Sequence, residues 1–402
     1  MNLLRPPPLA LYVHLPWCVR KCPYCDFNSH AREGVLPEER YVSALLRDLE
    51  RQARAAHGRE VSSVFFGGGT PSLFTPQAIA RILEGARRVL RFAADTEVTL
   101  EANPGTIEHG RFVDYRGAGV TRVSLGGQSF NPQHLTVLGR IHSVGDIHRA
   151  VGELAAAGLD NFNIDLMYGL PGQSVAQALA DIDAAVALGP THISHYQLTL
   201  EPGTVFFHKP PALPDEDACW EMQRDCQARL DAAGFRQYEI SGYARAGRRC
   251  RHNLNYWLFG DYLGIGAGAH GKSTDAARGA IERTAVVRQP RLYMETMEAD
   301  AAPEAGLDRQ LVTATDLPFE FMLNALRLIE GFAADHFESR TGLPMEHIEP
   351  LLLRAQARGL LEPGAEDGWR PSELGLRFLN DLQAGFLAPR GEARVPEQAN
   401  PR

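Results

Sequence analysis

From residue 9 to about residue 200 the chain alternates short apolar runs with amphipathic stretches. LALYVHLP (9–16), VSSVFF (61–66), EVTLEANP (97–104), TRVSLGGQSF (121–130), NFNIDLMYG (161–169) and THISHYQLTL (191–200) are brief, β-branched and nearly continuous in apolar character. That pattern predicts strands covered on both faces. Helical periodicity runs over 37–58, where Gly58 stops it, and over 76–90, 144–158 and 174–189. A strand and a helix recurring every roughly thirty to forty residues predict βα units on a parallel sheet, and six such units suggest an open or complete α/β barrel. In such a barrel the site lies at the C-terminal ends of the strands. The glycine-bearing polar motifs GGGTP, EANPG, GGQSF, DLMYGLPG and TLEPGT all fall there.

After Pro202 the rhythm changes. A helix is expected over 215–234 and a strand-like segment over 236–244, and the Gly- and aromatic-rich stretch 250–272 reads as loop or binding surface. An Ala-, Asp- and Glu-rich connection occupies 299–309. Helices near 318–330, 332–340 and 345–358, a turn around Gly364 and a last helix from Ser372 give the order of a winged helix. The expected organisation is a barrel core over 1–240, a connecting segment over 241–310, a mainly helical, winged-helix-like C-terminal module over 311–390 and a tail over 391–402.

Composition narrows the function. Of 402 residues, 44% are hydrophobic and 22% charged, which supports a sizeable core and excludes global disorder. The net charge of −8 argues against a nucleic-acid partner and favours packing or substrate covering as the work of the C-terminal module. No apolar run is long enough to span a bilayer, and residues 1–8 lack a signal core. A cytoplasmic protein without a transmembrane segment is expected, with room for a peripheral membrane contact.

Three of the six cysteines, Cys18, Cys22 and Cys25, fall within eight residues directly after the first strand. Reduced thiols so closely spaced read as metal or redox chemistry rather than disulfides. Three thiolates can hold three irons of a [4Fe–4S] cluster and leave the fourth open to a chelating small molecule. A zinc site completed by His14 or His30 is the alternative. Cys219 and Cys226 lie two turns apart on one helix and are expected in the core, and His14 is expected as a hydrogen-bonded barrel histidine.

YVHLPWCVRKCPYCDFNSH resembles the cluster loop of the radical S-adenosylmethionine (SAM) superfamily, and more narrowly that of the coproporphyrinogen dehydrogenase-like family. FFGGGTPS, EANPGT, GGQSF with LGRIH, and NIDLMYGLPGQ agree, and RHNLNYW (251–257) resembles the HNxxYW motif of that family's haem-chaperone branch. The resemblance implies an α/β fold, a partial (β/α)6 radical-SAM TIM-like barrel, in which Cys18, Cys22 and Cys25 ligate the cluster. Tyr12 and Tyr24 would stand beside the cofactor, and Gly68, Gly69 and Thr70 at the methionine end of SAM. Glu101, Gln128, Arg140 and Asp165 would hold its ribose and carboxylate, an Arg suiting a carboxylate and an acid suiting hydroxyls. GIGAG (264–268) resembles a strand closing over adenine.

One departure separates two functions. Coproporphyrinogen dehydrogenases carry a further Cys two residues after the third cluster cysteine, where this chain has Phe27. The resemblance therefore implies a haem chaperone more than an enzyme: haem (or a porphyrin) as cargo, His252 as its candidate ligand and a haem-accepting protein as partner. The alternative is an oxygen-independent coproporphyrinogen III oxidase, and a zinc-stabilised interaction protein is a third class.

Overall fold

The computed structural model describes residues 3–105, 111–299 and 305–388. Thr106 of the EANPGT motif, residues 300–304 of the acidic connection and the tail 391–402 lie outside the described residues. The chain divides into two compact units, Pro6–Leu311 and Met1–Arg5 with Val312–Arg402.

In the larger unit six parallel strands appear where the pattern places them: β1 (Leu9–Leu15), β2 (Glu60–Gly68), β3 (Arg91–Ala102), β4 (Arg122–Gln128), β5 (Phe162–Tyr168) and β6 (His192–Gln197). Each pairs in parallel with the next. The crossovers carry α1 (Glu38–Gln52), α2 (Pro76–Val89), α3 (Phe112–Gly117), α4 (Val144–Ala157) and α5 (Val175–Ala187). Local chemistry sets these helix ends. Ser143 and Asp146 form a capping box at the start of α4, and Gly158 ends it at φ 67°, a conformation that favours glycine. Leu45, Ile79, Ile82, Ile147, Leu154 and Ile182 from the helices are fully buried, as are Phe66, Leu100, Leu125, Ile164 and Ile193 from the strands.

The sheet continues at both edges. After α6 (Glu216–Ala232), which buries Cys219 and Cys226 as expected, β7 (Arg236–Gln237) and β8 (Gly242–Ala244) form a hairpin whose strand β8 pairs antiparallel with β6. The single strand-like segment expected over 236–244 is thus folded back on itself. At the other edge, α7 (Arg251–Trp257) leads to β9 (Asp261–Ile265), which pairs in parallel with β1. The antiparallel strands β10 (His270–Asp275), β11 (Ala280–Val286) and β12 (Leu307–Leu311) follow. The order β12-β11-β10-β9-β1-β2-β3-β4-β5-β6-β8-β7 is open among the described residues, so the barrel is partial.

The stretch 250–272 is therefore helix and strand rather than loop. Its glycines are there for close backbone approach: a Cβ on Gly264 would stand 1.8 Å from the His270 carbonyl oxygen.

The smaller unit has helices Leu317–Ala325, Ala334–Thr341 and Glu349–Ala357, a hairpin of Leu361–Pro363 with Trp369–Pro371, and short helices Glu373–Arg377 and Leu379–Ala384. This is the mainly helical, winged order expected. The first helix stops at Ala325 instead of near 330, because Gly331 takes φ 72° and Phe332 exchanges two 2.9 Å backbone hydrogen bonds with Trp369. A Cβ at Gly331 would meet the Trp369 carbonyl at 2.0 Å. No helix of the described residues is long and apolar enough to cross a membrane.

The joint of β9 with β10 holds a buried ion cluster. Asp261 accepts from Lys272 Nζ at 2.8 Å, Arg59 Nη1 at 2.7 Å, and the Thr274 amide and hydroxyl at 2.7 and 2.9 Å. Burial would raise this carboxyl, but the Lys272 and Arg59 charges and hydrogen bonds outweigh it and hold its pKa below the ordinary value. Replacing Lys272 by Ala should cost about 3–5 kcal/mol of stability, since it strands part of a buried charge set. A depressed acid pKa stabilises the fold above the unfolded value, and that contribution is lost as pH falls below about 4 and through the folded pKa. Denaturant titrations at pH 7 should separate wild type from Lys272→Ala, and the gap should narrow in strong acid; coincident curves at pH 7 would remove the cluster's structural role.

Candidate functional site

The cysteine loop starts where β1 ends. Trp17–Cys18 pairs with His30–Ala31, and the bonds His30 N to Pro16 O (2.7 Å) and Arg32 N to Cys18 O (2.8 Å) close the neck of the loop. Inside it, Cys25 N donates to Cys22 O at 3.2 Å. This turn brings Cys18, Cys22 and Cys25 onto one wall of a cavity at the C-terminal ends of the parallel strands. Of the residues expected at the site from sequence, Tyr24, Gly68, Gly69, Thr70, Glu101, Gln128, Arg140 and Asp165 line the same cavity. Tyr12 and His252 do not.

The opposite wall is polar and cross-braced. Arg140 donates through Nη1 to Cys22 Sγ at 3.6 Å, and through Nη2 to Asn103 Oδ1 and to the Gly126 carbonyl at 2.9 Å. Asn103 passes the connection on, donating to Thr70 Oγ1 at 2.9 Å. Gln128 sits at φ 68°, left-handed for a non-glycine residue, while its Oε1 accepts from Tyr196 OH at 2.7 Å. Such strain at a strand end persists because the surroundings over-determine it. Asp165 accepts from Asn163 Nδ2 at 2.8 Å and Ser124 Oγ at 3.3 Å. Burial, and then the neighbouring Asp165 carboxyl, push Glu101 up to about 8, so at neutral pH it is largely a protonated acid that can both donate and accept. Burial likewise raises the Cys18 and Cys25 thiols, against hydrogen bonds from Thr70 and Ser29.

Asn103, Ser124, Gly126 and Tyr196 line the cavity and were not anticipated. Asn103 and Gly126 stand inside the strand-end motifs EANPG and GGQSF, so their position was the available signal. Ser124 and Tyr196 had none beyond strand membership.

The donor set fits a cluster better than a single ion. The three sulfurs border the cavity, and among the described residues no three His, Cys, Asp or Glu side chains gather closely enough to hold one metal ion. His14, offered as a zinc ligand, has both ring nitrogens engaged: Nδ1 accepts from Tyr12 OH and Nε2 donates to Asn28 O, each at 3.0 Å. It is the hydrogen-bonded barrel histidine expected. The glycine loop that lines the cavity is also closely packed by the protein itself. A Cβ on Gly69 would stand 2.6 Å from the Trp17 carbonyl and one on Gly68 2.5 Å from the His14 ring. These glycines first let the chain pack on itself.

Tyr12 lines a second cavity, which shares Phe27, Gly68 and Glu101 with the first. His252 lies behind that cavity on α7, 1% exposed, its ring stacked on Phe65 at 5.0 Å. Its Nδ1 and Nε2 are hydrogen-bonded to Ser63 Oγ (3.1 Å) and Tyr256 OH (3.0 Å), and burial lowers its pKa to about 3. Both nitrogens are spent on the protein.

Comparison with known proteins agrees with this geometry. The radical SAM superfamily matches residues 12–185, and the HemN C-terminal domain matches 312–378. The chain is 50% identical to the heme chaperone HemW of Escherichia coli, over 96% of this chain and all of that one. It is 45% identical to HemW of Haemophilus influenzae, over 95% and 98% of the two chains. The bovine mitochondrial radical S-adenosyl methionine domain-containing protein 1 is 35% identical, over 96% of this chain and 88% of its own. Among solved structures, the radical SAM enzyme coproporphyrinogen III oxidase (HemN) of E. coli superimposes with a TM-score of 0.79 at 22% identity, covering 95% of this chain and 90% of that one, a likeness of fold. With three cysteines on the cavity wall and a relative matched from end to end, the chain belongs to the radical SAM superfamily and, within it, to the HemW family.

Proposed function

We propose that this protein is a haem chaperone of the cytoplasm, which binds a [4Fe–4S] cluster, SAM and haem and delivers the haem to an acceptor protein. The observation that carries this reading is the full-length identity with HemW proteins, since the partial barrel alone would serve many chemistries. Phe27 supports it: an apolar ring stands where the enzymes of the wider family carry a thiol, and it cannot act as acid, base or redox partner.

Cys18, Cys22 and Cys25 would hold the cluster. Bound there, the cluster supplies electrons one at a time and an iron open to a chelating ligand. The protein's own part is orientation and charge. Arg140 is fixed by Asn103 and Gly126 and aims a permanent positive charge at Cys22 and at any carboxylate in the cavity. Glu101 and Asp165 offer a protonated and a hydrogen-bonded acid to ribose hydroxyls, with Gln128 locked beside them by Tyr196. Thr70, braced by Asn103, closes the end nearest Cys18.

Replacing Cys22 by Ala should abolish the brown chromophore and the bound iron while leaving the fold intact, because none of residues 18–28 belongs to the buried apolar core. Wild-type iron content in a folded variant would overturn the ligand assignment. Anaerobically reconstituted protein with SAM should bind haem yet leave coproporphyrinogen III unconverted; sustained formation of protoporphyrinogen IX by the pure protein would replace the chaperone reading by the enzyme.

A further inference from the structure

Haem needs an axial donor with a free lone pair, and His252, sealed behind Phe65 and Tyr256, has none to give. The second cavity supplies what His252 lacks. It has a volume of about 360 Å3 and opens on one side between Phe27, His270 and Arg288, all exposed. Phe27 is 62% exposed, an unusual state for a large apolar ring, and Tyr256 and Tyr262 stand on the same cavity. Aromatic faces of this kind suit a flat macrocycle.

His270 is the one imidazole there that is not already used. Its ring forms no hydrogen bond or ion pair among the described residues, whereas His14 in the same wall spends both nitrogens. Partial burial and the charges of Arg288 and Arg283 lower its pKa, so the ring is neutral, the state that ligates iron. The Arg288 guanidinium has no carboxylate partner among the described residues.

Both positions are anchored to the cysteine loop. Asn28 donates from Nδ2 to the carbonyls of Ala267 and Arg288, each at 2.9 Å, and Gly268 N donates to Val287 O at 3.0 Å. A Cβ on Gly268 would strike Asn28 at 2.2 Å, so the glycine run brings His270 to the mouth of the cavity.

We propose that the second cavity is the haem seat, with His270 as the iron ligand and Arg288 as the partner of a propionate carboxylate. The inference rests on the haem-chaperone reading and deepens it. A seated haem would border Phe27, Gly68 and Glu101, which also wall the cluster cavity, so cargo and cofactor would share a partition.

The test is a haem titration of the anaerobically reconstituted full chain, followed by the Soret band and by ligand-field bands. His270→Ala should lose the wild-type spectrum and bind haem about tenfold or more weakly, with iron–sulfur content and SAM affinity unchanged. Arg288→Gln should keep the wild-type spectrum and weaken binding of haem by about tenfold, yet bind haem dimethyl ester as wild type does, because the ester has no propionate charge. A His270→Ala protein with the wild-type Soret band and affinity would overturn the ligand, and equal weakening of haem and ester by Arg288→Gln would overturn the propionate contact. Wild-type protein that takes up no haem at all would instead defeat the chaperone reading itself.

Discussion

The site depends on one steric constraint at the end of β1. His14 is flanked on both sides by backbone that tolerates no side chain. A Cβ on Gly68 of β2 would meet the His14 ring at 2.5 Å, and one on Gly266, just past β9, would meet the His14 carbonyl at 2.5 Å. Both glycines take positive φ, 113° and 102°, where a side chain is strained whatever the space. Two segments far apart in the chain, around Gly68 and Gly266, thereby close on one residue of β1.

That convergence leaves backbone amides turned inward, and the protein answers each of them. Gly266 N donates to Asp48 Oδ2 and Ala267 N to Tyr41 OH, both at 2.9 Å, while Tyr41 OH donates to the His14 carbonyl at 2.9 Å. Tyr293 OH adds a 3.0 Å bond to the same Asp48 oxygen. An unpartnered amide at this depth would cost as much as a lost hydrogen bond, so a buried carboxylate and two tyrosines are the structural consequence of the glycine turns. Burial pushes Asp48 upward in pKa, and the bonds from Gly266, Gln52 and Tyr293 counter it.

The functional surface inherits this rigidity. The cysteine loop leaves β1 beside Gly69, the acids Glu101 and Asp165 project from β3 and β5, and Asn28 ties the loop to the segments bearing His270 and Arg288. Phe27 then stands between two cavities that share a wall.

Much of this was legible in the order of residues. Six buried parallel strands follow from local runs of β-branched and apolar residues, and their C-terminal ends follow from strand direction, so Cys18, Thr70, Glu101, Gln128 and Asp165 were bound to meet. The spacing of the three cysteines carries its own chemistry. What the sequence did not determine are contacts between distant segments. The pairing of β9 with β1 turns 250–272 from apparent loop into helix and sheet, because glycine reads locally as flexibility and only a neighbouring strand makes it a close-packed element. His252 has the residue type of a ligand, and only Ser63 and Tyr256, brought to it by the fold, show its nitrogens spent. Motif and periodicity act through neighbours in the chain, whereas burial and the satisfaction of lone pairs are properties of neighbours in space, which tertiary structure alone supplies.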